Sequence, residues 1–201
     1  MAGMAASKLT ISDRAELAPL EQQRTTRYVH CAPGEDIADP RPGDVILIRG
    51  RGWLGKLIRA VQRARYWRTE DHPFAYWSHA ALIVSSRGHL IEVSHAGVVG
   101  RKIESYRWHD YHYVYLDLSE AQRREAVRFA YSCLKQKYGT LSSLLLGVAV
   151  LLGDRLRVPE RGQQGCGALI ARALQRAGMK FERSPVNMFP ADLAKRFGVR
   201  P

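Results

Sequence analysis

Apolar positions along this chain fall mainly in short runs over the first 120 residues, interrupted by one helix-spaced stretch, and in helical stretches after them. Asp44-Val45-Ile46-Leu47-Ile48-Arg49 follows a Pro42-Gly43 breaker and is too short for a helix, so it reads as a buried strand. Trp53, Leu54, Leu57, Ile58 and Val61 then recur at helical spacing, with Lys56, Arg59 and Arg63 between them. That pattern predicts an amphipathic helix with a basic face. Two further apolar runs, 78–84 and 89–94, flank Ser85-Ser86-Arg87-Gly88, whose turn chemistry predicts a β-hairpin. Alternation over 111–118 predicts another strand. Ser119 followed by Gln122 has capping-box spacing and opens a helix with Ala126, Phe129, Ala130 and Cys133 on its apolar face, ending at Tyr138-Gly139. Apolar helices are predicted at 141–152 and at 166–177, the latter stopped by Gly178, with a short last helix at 190–197. Residues 1–40 have no strong period beyond a short helix near 12–24, and read as an extension to a domain at 41–201. A strand cluster followed by helices predicts an α+β fold, a small antiparallel sheet or partial barrel packed against helices.

Composition narrows this picture. At 201 residues, 46% hydrophobic and 25% charged, the chain suits one globular domain with an extension. Three cysteines exclude a disulfide scaffold. The 141–152 run is too short for a bilayer, and the N-terminus lacks the apolar core of a secretory signal. A cytoplasmic location is the default expectation, with delivery outside the cell by another route left open. The formal charge is +12, but arginine outnumbers lysine and the charges are dispersed, except over 49–68. That stretch carries seven basic residues and no acidic one. It reads as a solvated helix beside a cleft, or as a contact from Arg49 to Arg68 with an anionic surface such as a membrane or cell-wall polymer. A nucleic-acid element with Tyr66 and Trp67 stacking on bases has no specific motif behind it. The aromatic residues from Tyr66 to Trp77, with Phe74 and Tyr76, are alternatively a flap over a site.

The strongest candidate for chemistry is Cys166, between Gly165 and Gly167 at the start of a predicted helix. A helix N-terminus favours thiolate over thiol, and flanking glycines leave room for substrate and backbone N–H groups for an oxyanion. The competing reading is a small buried hydrophobe. Cys133 falls on an apolar helix face, and Cys31 lies in the extension beside His30. His79 at a strand start is a candidate base, against the plainer reading of a solvent-exposed strand end. Glu92 stands among Leu90, Ile91 and Val93, where a carboxylate is costly unless it has a partner. An even hairpin loop places His79 and Glu92 on one face of the sheet, whereas an odd loop favours His89 or His95. With an even loop, Cys166, His79 and Glu92 have the types of a nucleophile, its base and a group orienting the base. His89-x-x-Glu92-x-x-His95 and His109-x-x-His112 have i, i+3 spacing, which on a strand points to opposite faces, so no metal site is expected.

The order His, Glu, Cys, together with Pro42-Gly43-Asp44-Val45-Ile46, Ser78-His79-Ala80-Ala81-Leu82-Ile83, Leu90-Ile91-Glu92-Val93, Lys137-Tyr138-Gly139 and Cys166-Gly167-Ala168-Leu169-Ile170, resembles the permuted NlpC/P60 group. That group is related to the YiiX-like and lecithin:retinol-acyltransferase-like proteins. The resemblance spans roughly 40–178 and implies a circularly permuted papain-like fold. It implies a thiol hydrolase or acyltransferase without cofactor, with Cys166 as nucleophile, His79 as base and Glu92 as third member. Gly165, Gly167, Tyr138 and Trp77 are expected near substrate or oxyanion. The implied substrates are a small peptide or cell-wall fragment first, and a lipid acyl group second. This chain has Gly167-Ala168 where the family often has Ser-Glu, and a longer basic insertion before His79.

Overall fold

The computed structural model describes residues 27–67, 69–136 and 165–201. The helices expected at 12–24 and 141–152, and Tyr138, lie outside these residues. The described chain is α+β, with six strands in one antiparallel sheet and four α-helices. The strands are β1 (Arg27–Cys31), β2 (Val45–Ile48), β3 (His79–Ile83), β4 (His89–Ser94), β5 (Gly97–Lys102) and β6 (Tyr111–Tyr115). Their order across the sheet is β1-β6-β2-β3-β4-β5, so β1 and β5 are edges and the sheet does not close into a barrel. The helices are α1 (Trp53–Tyr66), α2 (Glu120–Ser132), α3 (Cys166–Arg176) and α4 (Pro190–Phe197). Among the described residues no helix is long and apolar enough to cross a membrane.

Both faces of the sheet are covered, which explains why β2 reads as an unbroken apolar run. Val45, Leu47, Ala80, Leu82, Ile91 and Val114 share one core with apolar residues of α2, α3 and α4. Ile46, Ile48, Ala81, Ile83, Leu90, Tyr111 and Tyr113 form a second core, against which Ile37 and Tyr106 pack. The β3–β4 hairpin has an even, four-residue loop closed by the Val84 N–H donating to the His89 carbonyl at 2.8 Å. Gly88 takes φ of +74°, and a Cβ there would lie 2.8 Å from Ile103 Cγ2, so glycine is required on both counts. The register pairs Ala81 with Glu92. His79, two residues before Ala81, therefore shares the Glu92 face.

Several boundaries differ from expectation. β1 lies within the segment read as an extension and adds an edge to β6. Four of its five residues are exposed, so it has no alternating burial to betray it. β5 was not predicted either. It contains Gly97 and Gly100, ends in exposed Arg101 and Lys102, and is held by a two-residue turn from β4. The capping box of α2 forms as expected, but the helix ends at Ser132. Lys135 then adopts φ of 65°, and 135–136 hydrogen-bond to Val98.

Asp44 is an ion-pair centre that local pattern could not reveal. It is fully buried, and its carboxylate accepts from Arg41 Nε at 3.1 Å, Arg123 Nη1 at 2.9 Å, the Tyr113 hydroxyl at 2.9 Å and the Leu116 N–H at 3.0 Å. This ties the start of β2 to α2. Removing one member leaves buried Arg123 uncompensated, so Asp44→Ala should lower unfolding free energy by about 3–5 kcal/mol in urea denaturation. Arg41 is 43% exposed, and Arg41→Ala should lower it by about 1 kcal/mol or less.

Candidate active site

Cys166 is the first residue of α3, preceded by Gly165 in extended conformation (φ −73°, ψ 171°). No acidic side chain occupies the first turn and no side chain caps it, so the positive end of the helix is uncompensated. α3 packs on β3 and β4, bringing its N-terminus to His79 at the first position of β3. The Cys166 sulfur and the His79 ring line the same cavity, and each favours the charged form of the other, with the backbone of Ala80 and Gly167 also favouring the thiolate. His79 Nε2 lies 2.9 Å from Glu92 Oε2, which leaves Nδ1 for the sulfur.

Glu92 is held on every side. It is 2% exposed, Arg101 Nε lies 2.8 Å from Oε1, and the Tyr106 hydroxyl donates to Oε2. A buried carboxylate is tolerable because three partners satisfy it. Burial pushes its pKa up, but His79, then Tyr106 and Arg101, outweigh burial and hold the carboxyl below its ordinary value. His79 shows the complementary balance. Burial disfavours the imidazolium, while the Cys166 sulfur and then Glu92 favour it, raising the pKa to about 10. For Cys166 burial favours the thiol, but His79 and the two backbone donors prevail and lower the pKa. The three groups together favour a thiolate–imidazolium pair at neutral pH.

These residues open onto a cavity of about 270 Å³. Leu54 and Ile58 of α1 wall one side, Met188, Phe189 and Pro190 another, and Val93 a third, beside Cys166, His79 and Glu92. The pocket is mainly apolar around a few polar groups, the ordinary make-up of a small-ligand site.

Gly165 and Gly167 line it in different ways. A Cβ at Gly165 meets nothing within 4 Å, so this glycine leaves the approach to sulfur open. A Cβ at Gly167 would stand 2.5 Å from the Met188 carbonyl oxygen and 2.7 Å from Phe189 C, so this glycine lets the cavity wall close on the helix. Gly167→Ala should therefore displace 188–190, destabilise by about 1–3 kcal/mol and slow alkylation of Cys166. Gly165→Ala displaces no neighbour and should cost no more than about 1 kcal/mol, the ordinary disadvantage of Ala against Gly at an N-cap. Thermal melts and alkylation rates of the two variants check this contrast.

Other candidates fall elsewhere. Trp77 is fully buried, and its indole N–H donates to the Val199 carbonyl at 3.0 Å. It packs against Tyr76 and His112 in the core and does not line the cavity. The flap expectation fails with it. Phe74 and Tyr66 are buried, and the Tyr66 hydroxyl donates to Asp192. Tyr76 instead holds Asp110. His95 lines the cavity from the β4–β5 turn but makes no hydrogen bond to His79, whose partner is Glu92. His89 is exposed and bonded to Ser85 Oγ at 2.9 Å, so it does not converge with Glu92 and His95. Cys31 and Cys133 are buried away from the cavity. Tyr106 and Arg101 were not foreseen, because both depend on β5 and the short 3-10 turn after it (Ile103–Tyr106). No family model matches this chain, and no curated protein matches it.

Proposed function

We propose that this protein is a cysteine-dependent hydrolase or acyltransferase that acts on an amide or ester carbonyl through an acyl-enzyme on Cys166. The observation that carries this reading is Cys166 at a helix N-terminus lining one mainly apolar cavity with His79, whose ring lies 2.9 Å from Glu92. The thiolate adds to the carbonyl carbon, and the oxyanion forms beside the uncapped N-terminus of α3. The imidazolium of His79 gives its proton to the departing amine or alcohol as the C–N or C–O bond breaks. A water or acceptor hydroxyl or amine then surrenders a proton to His79 and attacks the thioester, restoring the thiolate. Glu92 orients the ring and stabilises its charged form, with Tyr106 and Arg101 positioning Glu92.

A histidine on a strand preceding a cysteine at a helix start also fits the permuted papain-like arrangement of the NlpC/P60 group, which we propose as the finer description of the fold. The cavity's apolar walls favour an acyl or aliphatic group next to the reacting carbonyl, so lipid acyl esters and amides stand beside peptidoglycan-type peptides as substrate classes. The test is labelling with iodoacetamide at pH 6–7, with the modified cysteine mapped by mass spectrometry. Wild type should label at Cys166 well ahead of Cys31 and Cys133, and Cys166→Ala should lose that rapid phase. Equal rapid labelling of wild type and Cys166→Ala would overturn the assignment.

A further inference from the structure

Across α1 from Leu54 and Ile58 lies a second, more open concavity of about 510 Å³, lined by His30, Arg49, Arg51, Lys56, Arg59 and Asp110 among others. Lys56 and Arg59 stand roughly half a turn around the helix from Leu54, so the thiol cavity and this one occupy opposite flanks of one helix. Four permanent cations share its wall, and two are fixed by neutral groups. Arg49 lies 4.7 Å over the Tyr76 ring and its Nη1 donates to the Tyr76 hydroxyl at 3.2 Å. Arg59 Nη1 donates to the Gly50 carbonyl at 2.6 Å and to Ser78 Oγ at 3.3 Å. Neither contact cancels a charge.

Arg51 and Lys56 are exposed and reach no carboxylate among the described residues. Asp110, the carboxylate in this wall, already has Oδ1 2.9 Å from His30 Nε2 and Oδ2 accepting from Tyr76. The repulsion left over is visible at Arg59, whose pKa is lowered by burial and then by Arg49 and Arg63. The uncapped N-terminus of α1, with no acidic residue in its first turn, adds the same sign.

We propose that this concavity binds a phosphate group. Two guanidinium forks held by neutral acceptors are pre-aligned for the bidentate hydrogen bonds that a tetrahedral dianion accepts, and Arg51 and Lys56 close on it from the exposed side. The concavity and the Cys166 cavity share no lining residue, so the phosphate is not at the reacting centre. The group belongs to a soluble phosphate compound or to a lipid headgroup; exposed Trp53 beside Lys56 suits the second source. This assignment stands independently of the thiol chemistry.

Calorimetric titration with inorganic phosphate and pyrophosphate at matched chloride concentration tests it, comparing wild type with Arg51→Glu/Lys56→Glu. Both side chains are exposed and make no ion pair with a carboxylate among the described residues, so the double variant should keep the wild-type circular dichroism spectrum and melting curve. Wild type should bind with saturation, and the variant at least about tenfold more weakly. A vesicle arm with phosphatidate in phosphatidylcholine, against phosphatidylcholine alone, separates the sources. Variant-sensitive binding to phosphatidate vesicles assigns the group to a headgroup, and variant-sensitive binding of free phosphate without vesicle binding assigns it to a soluble ligand. Absence of saturable binding in both arms, or equal binding by the two proteins, overturns the proposal.

Discussion

Replacing His79 by Ala should move the pH dependence of Cys166 alkylation upward, past the ordinary thiol range. The sign follows from the balance at the sulfur. Burial alone favours the thiol, and His79 is the largest influence opposing it. Without the imidazolium, the Ala80 and Gly167 N–H groups and the helix end remain, and these are smaller contributions. Alkylation near pH 6.5 should fall by about 10²–10⁴, the range general acid–base partners ordinarily supply. Cys31 is an internal control, since burial raises its thiol pKa and no histidine is among the groups that act on it. Its slow rate should be the same in both proteins. A Cys166 profile that does not move would mean that the contact with His79 does not activate the thiol.

The second large effect is expected from Glu92→Gln. The substitution keeps the shape of a side chain that is only 2% exposed, but removes the charge facing His79, Arg101 and Tyr106. A neutral amide no longer favours the imidazolium, and one of its two orientations offers an N–H where His79 Nε2 also needs an acceptor. Acyl-enzyme formation should drop by about 10²–10⁴, as expected when the group that fixes the imidazole tautomer is neutralised. Stability should change with pH in a defined direction. The Glu92 carboxyl has a folded-state pKa below its ordinary value of 4.5, so it stabilises the fold above that pH. The contribution is lost as pH falls through the lower, folded value. Chemical denaturation from pH 7 down to pH 3 should therefore show a smaller acid loss for Glu92→Gln than for wild type.

The pairing of His79 with Glu92 was legible only up to the parity of one loop. Glu92 interrupts an apolar run, where an unpartnered carboxylate is costly, but Ser85-Ser86-Arg87-Gly88 marks a turn without fixing whether its loop is even or odd. The register of Ala81 opposite Glu92 places both residues on one face. Cys166 was legible because flanking glycines before Leu169, Ile170, Ala173 and Leu174 mark a helix start.

What stayed hidden depended on contacts distant in sequence or on weak strands. Arg101 sits on an edge strand with two glycines and an exposed charged end, so neither period nor propensity announced it. Tyr106 reaches Glu92 from a four-residue 3-10 turn. Asp44 after Pro42-Gly43 looks like an ordinary turn carboxylate, and its burial is set by Arg123 and Tyr113 on elements far along the chain. Trp77 misled for the opposite reason. Aromatic density from Tyr66 to Trp77 resembles a flap, yet Val199 supplies the acceptor that lets the indole enter the core.

The basic run at 49–68 also divides once folded. Arg49, Arg51, Lys56 and Arg59 surround one concavity, while Arg65 lies over the rings of Tyr66 and Phe189. α1 thus gives Leu54 and Ile58 to the thiol cavity and Lys56 and Arg59 to the opposite flank.

The most direct measurement of the central claim is intact-mass detection of an acyl-enzyme. Wild type, Cys166→Ala and His79→Ala are each treated with a p-nitrophenyl ester of a short fatty acid and quenched in acid. One acyl group per wild-type chain is expected, mapped to Cys166 and removed by hydroxylamine as a thioester would be. Cys166→Ala should carry no such adduct, and His79→Ala should form it slowly. Absence of an adduct on the wild type, or an adduct that persists unchanged in Cys166→Ala, would contradict the claim.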